Sequence, residues 1–367
     1  MHRLEKYTDL IIRKSLNIKS NDNLVIWCGE SQKTFAQIAK SCAKQKTDGD
    51  VVICFTDKDN SFTQEELVQR NSLWKQNRYK LLWIYSDDCT DTPPLPWVVV
   101  NAATESWAKQ VFPHIADEKA ATEQLWKCIF DACRIDEDDP VENWEKHIAC
   151  LQDKCAKLNG FDFDCLHFEN SIGTDLWIKP VQGHRWINCT AQAADGETII
   201  TNIPTEEVFT SPDKNSANGI VYGTRPIIVD GETVTDFYLR FENGQVVDCG
   251  AKTNPHLLKK LLESCENADR LGEIAIVPQS SPISQLGLLW YDTSFDENAG
   301  CHLALGFAYP DTIRDFAGKT SQQLCEKGLN QCRIHEDFVI GSSDMKITGV
   351  TFDKKEVIVF ENGEWCI

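Results

Sequence analysis

Two textures of apolar and polar positions divide the chain. In the first, apolar residues recur three and four apart over Leu4–Leu16, ending at Asn17, and again over Lys33–Ala43. Around these helical stretches stand short continuous apolar runs, Asn23–Cys28, Asp50–Phe55, Lys80–Tyr85 and Trp97–Val100. Such runs, separated by helices, predict a mostly parallel sheet covered on both faces. The proline-rich Thr92–Pro96 predicts a loop. Longer amphipathic helices are predicted over Asp117–Ala132 and Pro140–Leu158. Beyond Gly160 the texture changes. Asp195-Gly196, Asp230-Gly231, Asn243-Gly244 and Asn362-Gly363 each stand between β-formers, as in Ile227–Val234. These pairs are strong hairpin signals. They predict a largely antiparallel, β-rich second half with helices inserted at about Pro255–Cys265 and Asn298–Phe307. The expected organisation is an N-terminal α/β domain over residues 1–158, followed by a mixed, mostly antiparallel β-rich domain over residues 159–367.

Composition narrows the function classes. At 367 residues, 42% apolar and 25% charged, the chain has the makeup of one large or two ordinary globular domains. The 37 basic against 56 acidic residues give a net charge of −19, which removes the positive footprint a nucleic-acid coat needs. No apolar run approaches the roughly 20 residues of a membrane helix. The charged start Met1–Lys6 is followed by no secretory h-region, so a cytoplasmic location is expected. The sixteen cysteines contain no C-x-x-C. Cys128/Cys133 and Cys150/Cys155 are spaced for one helix face, so reduced, mostly buried thiols are expected.

Most short catalytic signatures are missing: no phosphate-cradling glycine loop, no H-E-x-x-H and no G-x-S-x-G. Ser343-Asp-Met-Lys346 matches S-x-x-K without its companion motifs. What remains is a set of acidic and histidine residues in the β-rich half. They lie in Pro204-Thr-Glu-Glu-Val-Phe-Thr210, Leu271-Gly-Glu273, Phe295-Asp-Glu-Asn-Ala-Gly-Cys-His302 and Ile334-His-Glu-Asp-Phe338. Each has an ordinary structural explanation. Glu206 and Glu207 could end a solvated strand, Glu273 could flank a helix, Asp296 could cap the following helix, and His302 could be a core histidine. Strand alternation would present His335 and Asp337 to one site and turn Glu336 away. On the expected helix, His302 and Tyr309 would share a face. If the segment is extended, only one of Glu206 and Glu207 can face a site shared with the others. Carboxylates with imidazoles suit hard to borderline divalent ions, and a set this large fits two ions bridged by one carboxylate. A cysteine hydrolase built on Cys301 and His302 is disfavoured, because neighbours on the expected helix point roughly 100° apart.

These stretches resemble the M29 family of metalloaminopeptidases. The likeness begins at Leu4-Glu-Lys-Tyr-Thr-Asp-Leu-Ile-Ile12 and passes through Trp107–Pro113, Cys133–Pro140, Gly173–Leu176 and Gly183–Trp186. It is densest from Asn202–Thr210 to Ile334–Ser342. The resemblance implies Glu207, Glu273, His302, His335 and Asp337 as ligands of two divalent ions such as zinc or cobalt, with Glu273 as the bridge. It also implies Tyr309, in Gly306-Phe-Ala-Tyr-Pro310, as an active-site tyrosine. The expected activity is removal of the first residue from peptides with a free N-terminus, by a homodimer. The general base is unassigned, with Glu206 one candidate. A catalytically inactive binding relative is the alternative. Gly183-His-Arg-Trp186 is read as structural. The chain is shorter than typical members by a few tens of residues, a deficit expected between Asp57 and Trp97.

Overall fold

The computed structural model describes residues 3–55, 79–84, 96–135, 138–193 and 196–367. Tyr85, residues 92–95 of the predicted loop, Asp195 and most of the stretch expected to be shortened lie outside them. The chain divides into two compact units, one of residues 1–148 with 189–205, the other of residues 149–188 with 206–367.

In the first unit, β1 (Asn23–Cys28), β2 (Val51–Phe55), β3 (Tyr79–Ile84) and β4 (Trp97–Val100) form a parallel sheet. Its order is β2-β1-β3-β4 followed by the short Asn202–Ile203 strand. After one half-buried residue, β1 and β3 are buried along their whole length, as their unbroken apolar runs require. Val25, Trp27, Leu81 and Trp83 make one core cluster, with the two indoles edge to face at 6.5 Å. Lys80 is the exception in β3. Its ammonium is buried and reaches Asp22 Oδ2 at 3.0 Å. The predicted first helix is α-helical over Arg3–Leu10 and widens to a π turn over Ile11–Ser15, with the Leu16 N–H donating to Ile11 O. Asp117 caps the Glu118–Ala132 helix by accepting from the N–H groups of Lys119 and Ala120.

The second unit holds an eight-stranded sheet and a four-stranded sheet. The pairings recorded in both are antiparallel. The predicted hairpins are present. At Asp230-Gly231, Asn243-Gly244 and Asn362-Gly363 both residues have positive φ, the geometry that makes Asx-Gly the preferred two-residue turn. In the first unit, the strands Thr190–Gln192 and Thr198–Ile200 likewise pair across the Asp195-Gly196 region.

The four-stranded sheet positions the site. Its strands, in spatial order, are β5 (Val208–Thr210), β6 (Leu271–Ile276), β7 (His302–Gly306) and β8 (His335–Val339). The helix expected over Asn298–Phe307 is therefore corrected. Glu297–Ala299 is a single 3-10 turn, and the chain from His302 is strand. Every residue of β7 is buried, so apolar residues occupy both faces and no alternation betrays the period. Nor does Asp296 cap a following helix. It closes the Thr293–Asp296 turn, where its carboxylate accepts from the N–H groups of Trp290 and Asp292.

Candidate metal centre

The register of β6, β7 and β8 builds the site. Glu273 lies opposite Ala304, and Ala304 lies opposite Asp337. Two carboxylates thus flank one methyl group on the same face. Ala275 pairs with His302, and Gly306 pairs with His335. Small residues alternate with the donors along this face, while Ile274, Leu303, Leu305 and Phe338 fill the other and are buried. Gly272 and Gly306 keep the strands close. A Cβ on Gly272 would stand 2.2 Å from Phe307 O, and one on Gly306 would stand 2.2 Å from Ile334 O.

The donors meet above that face. His302 Nε2 is 3.0 Å from Glu207 Oε2 and 3.5 Å from Glu273 Oε1. His335 Nε2 is 3.4 Å from Asp337 Oδ1 and 3.8 Å from Glu273 Oε2. Two trios result, Glu207/Glu273/His302 and Glu273/His335/Asp337, each with its donor atoms within 4.8 Å of one another. Glu273 belongs to both, through different oxygens. Each imidazole is oriented from behind. His302 Nδ1 lies 3.1 Å from Gly300 O and His335 Nδ1 lies 2.7 Å from Phe307 O. Since carbonyl oxygens only accept, both Nδ1 atoms carry a proton and both Nε2 atoms are turned to the carboxylates. Lone pairs facing lone pairs repel unless a cation or protons lie between. Glu207 Oε2, His302 Nε2 and Asp337 Oδ1 are buried and find no hydrogen-bond partner among the described residues. That set fits divalent cations, because bonds of about 2.0–2.2 Å would satisfy all three atoms.

Charge crowding shows in the titration of the groups. Burial, only partly offset by His302, pushes the Glu273 carboxyl up to about 7. Burial opposes charge on both imidazoles. The facing Glu207 and Glu273 carboxylates nevertheless raise His302 well above its ordinary value, and Asp337 and Glu273 raise His335 to about 10. Asp337 is drawn down against its own burial by His335 and by a hydrogen bond from Glu297.

Glu297 was not singled out from the sequence, yet it joins this cluster. Burial, then the Asp337 and Glu207 carboxylates, hold it well above the usual carboxylate range. Asn298, fully buried, fixes the turn. It donates to Ser294 O at 3.0 Å and Glu297 Oε1 at 3.2 Å, and accepts from the Glu206 N–H at 2.7 Å. Its sequence signal is the Asp-Glu-Asn-Ala string that leads into His302. Glu206 is buried but is in neither donor trio. Glu336 points to the opposite face, where burial raises its carboxyl to about 8.

Tyr309 lies three residues beyond β7 rather than on a helix with His302. Its ring meets His335 edge to face at 5.0 Å and packs near Phe209 and Phe307. Burial, then the Glu273 and Asp337 carboxylates, push its phenol well above the ordinary value. Cys301, directly ahead of β7, is buried, its thiol is pushed up to about 12 by burial, and its Sγ donates to Val277 O at 3.4 Å, away from the carboxylates that His302 Nε2 faces. A Cys301–His302 nucleophile pair is thus excluded for a reason other than helical spacing.

The profile of the M29 family, described as thermophilic metalloprotease, matches residues 49–365. The chain belongs to the M29 family. Among M29 relatives, it is 43% identical to aminopeptidase AmpS of Bacillus subtilis over 270 residues, 74% of this chain and 65% of AmpS. It therefore spans slightly less than two thirds of that relative's length. It is similar in structure to wild-type AmpT from Thermus thermophilus, with TM-score 0.88 and 28% identity, over 100% of this chain and 99% of that one. A 2,5-dihydroxypyridine dioxygenase from Pseudomonas putida shares the fold at TM-score 0.53 and 12% identity. The M29 fold by itself therefore does not decide the chemistry, and the donor set must.

Proposed function

We propose that this M29 chain is a metal-dependent aminopeptidase that hydrolyses the first peptide bond of peptides with a free N-terminus at a dinuclear centre. The observation that carries the proposal is the pair of donor trios sharing Glu273. Glu207, His302 and one Glu273 oxygen would hold one ion. The other Glu273 oxygen, His335 and Asp337 would hold the second, zinc or cobalt by the chemistry of the donors. When bound, such ions acidify water from pKa ~15.7 toward ~7 and polarise a carbonyl. The chain's own residues do the rest. The Gly300 and Phe307 carbonyls keep both imidazoles in register. Tyr309, beside His335, donates its hydroxyl proton as a hydrogen bond to the oxyanion formed at the scissile carbonyl. Glu297, hydrogen-bonded to Asp337, and Glu206, on the same Asn298 tether, are the carboxylates proposed to carry the proton to the leaving amine. All proposed ligands fall within residues 159–367, which we take as the catalytic part. A cytoplasmic homodimer is the assembly we propose.

The test is to strip the protein with a chelator, restore single divalent ions, and follow amino-acid release from peptides and their N-acetylated forms. Metal-dependent release from the free peptides alone is expected. Equal cleavage of acetylated peptides would overturn the exopeptidase reading. Failure to take up metal would support an inactive relative. Glu273→Gln should stay folded and lose at least one ion together with activity. Two ions retained would remove Glu273 as the bridge.

A further inference from the structure

Outside the metal centre, two thiols of the second unit stand in contact. Cys265 Sγ and Cys332 Sγ are 3.3 Å apart across 67 residues of sequence. Cys265 follows the Pro255–Leu262 helix and precedes β6, and Cys332 lies three residues before β8. β6 and β8 both pair with β7 and not with each other, so the thiols join segments on either side of a strand. Those segments are already tied. Asn267 Nδ2 donates to Gln331 O at 3.2 Å, and Asn330 Nδ2 donates to Asn267 O at 3.1 Å and Arg270 O at 3.2 Å. Both thiols are half-buried, within reach of a small reagent. A disulfide needs sulfurs about 2.05 Å apart, so closure asks for roughly 1.3 Å of approach, within the range of side-chain rotation.

We propose that Cys265 and Cys332 form a reversible disulfide that pins the approaches to the two outer donor strands, β6 and β8. The inference stands apart from the aminopeptidase reading. The Arg333 and Ile334 N–H groups point at Cys265 Sγ and, against its burial, hold that thiol below its ordinary value, whereas burial raises Cys332. Cys265, the less buried of the two, is the sulfur a reagent meets first. With a low-molecular-weight disulfide as oxidant, the Cys265 thiolate attacks one sulfur of the reagent. It forms a mixed disulfide and expels the other half as a thiolate. Cys332 then loses its proton to solvent and attacks Cys265 Sγ. The mixed bond breaks, the Cys265–Cys332 bond forms, and the second half leaves. The net change is one protein dithiol and one reagent disulfide to one protein disulfide and two reagent thiols.

The experiment exposes metal-loaded, fully reduced protein to oxidised glutathione, blocks free thiols and maps the unreduced peptides by mass spectrometry. A Cys265–Cys332 linked peptide, removed by dithiothreitol, is expected. The unfolding midpoint should rise by about 5–15 °C over the reduced form, given the long loop closed. Cys332→Ser should stop at glutathione on Cys265 with no such rise. Both cysteines recovered as blocked free thiols would overturn the proposal, and needs no variant. A linked peptide with an unmoved midpoint would overturn the pinning.

Discussion

Replacing Lys80 with methionine removes an ammonium buried in the parallel sheet. Lys80 Nζ donates to Leu16 O at 2.9 Å and Asn17 O at 3.0 Å, and pairs with Glu197 Oε2 at 3.2 Å and Asp22 Oδ2 at 3.0 Å. Its side chain is 4% exposed and that of Asp22 is 1% exposed, so solvent screening is small. Methionine keeps the unbranched stem but leaves the Asp22 carboxylate buried without its cation. The Lys19 N–H, at 2.9 Å, remains as a neutral donor. Breaking such a pair from one side costs about 3–5 kcal/mol, because the remaining charge is uncompensated. At about 2–4 °C per kcal/mol for a unit of this size, the midpoint of the first unit should fall by roughly 6–20 °C. Calorimetry on wild type, Lys80→Met, Asp22→Asn and the double variant measures it. The double variant should recover roughly 1–3 kcal/mol relative to additivity, since it removes both charges. Every proposed metal ligand lies in the other unit, so metal content of folded Lys80→Met at 20 °C should equal that of wild type. A drop below about 3 °C, or strict additivity, would refute the assignment of Lys80 as a structural cation.

Three further outcomes follow from the site and its surroundings. Tyr309→Phe keeps the ring contacts with Phe209, Phe307 and His335 and loses only the hydroxyl. Its kcat should fall about 10²–10³-fold with little change in KM, and an unchanged kcat would take Tyr309 out of the reaction. In the ion-free protein, Glu273 is raised to about 7 and His335 to about 10, so at pH 7 the first is about half protonated and the second mostly protonated, and an entering cation must displace these protons. Cation uptake should release protons and tighten as pH rises from 6 to 9. Titration calorimetry in buffers of different ionisation enthalpy reads this directly, and a pH-independent affinity would contradict it. The thiols of Cys155 and Cys301 are both pushed by burial up to about 12, leaving a thiolate fraction of about 10⁻⁴ at pH 8. Iodoacetamide should label exposed Cys150 and Cys366 and spare these two in folded protein, and early labelling of Cys301 would show the strand opens.

Much of this was legible in the residues. A continuous run such as Leu24–Cys28 marked a parallel strand covered on both faces, whereas Trp97–Val100 is parallel but buried only at alternate residues. Asx-Gly pairs marked the hairpins, because few other residues accept two consecutive positive φ angles. The His335-x-Asp337 alternation marked a strand, and its register with β7 sets both side chains on one face. His302–Gly306 failed because a strand buried on both faces and a buried helix show the same apolar run. The polar Asp296–Asn298 ahead of it mimics a helix start. Glu297 was missed for a related reason. Its proximity to Asp337 depends on a 3-10 turn held by Asn298 to Glu206, a contact 92 residues apart that no local pattern encodes. The Cys265–Cys332 contact is likewise invisible without the pairing of β6, β7 and β8.

The sheet register also sets when the ion pocket can first exist. Its donors come from positions 207, 273, 302, 335 and 337, so four separate segments must be in place together. During synthesis, an emerging chain carries single carboxylates and imidazoles that grip a divalent ion weakly. The second trio closes only when His335–Val339 docks beside His302–Gly306. Tight capture of the proposed cations is thereby deferred until all four segments have folded together.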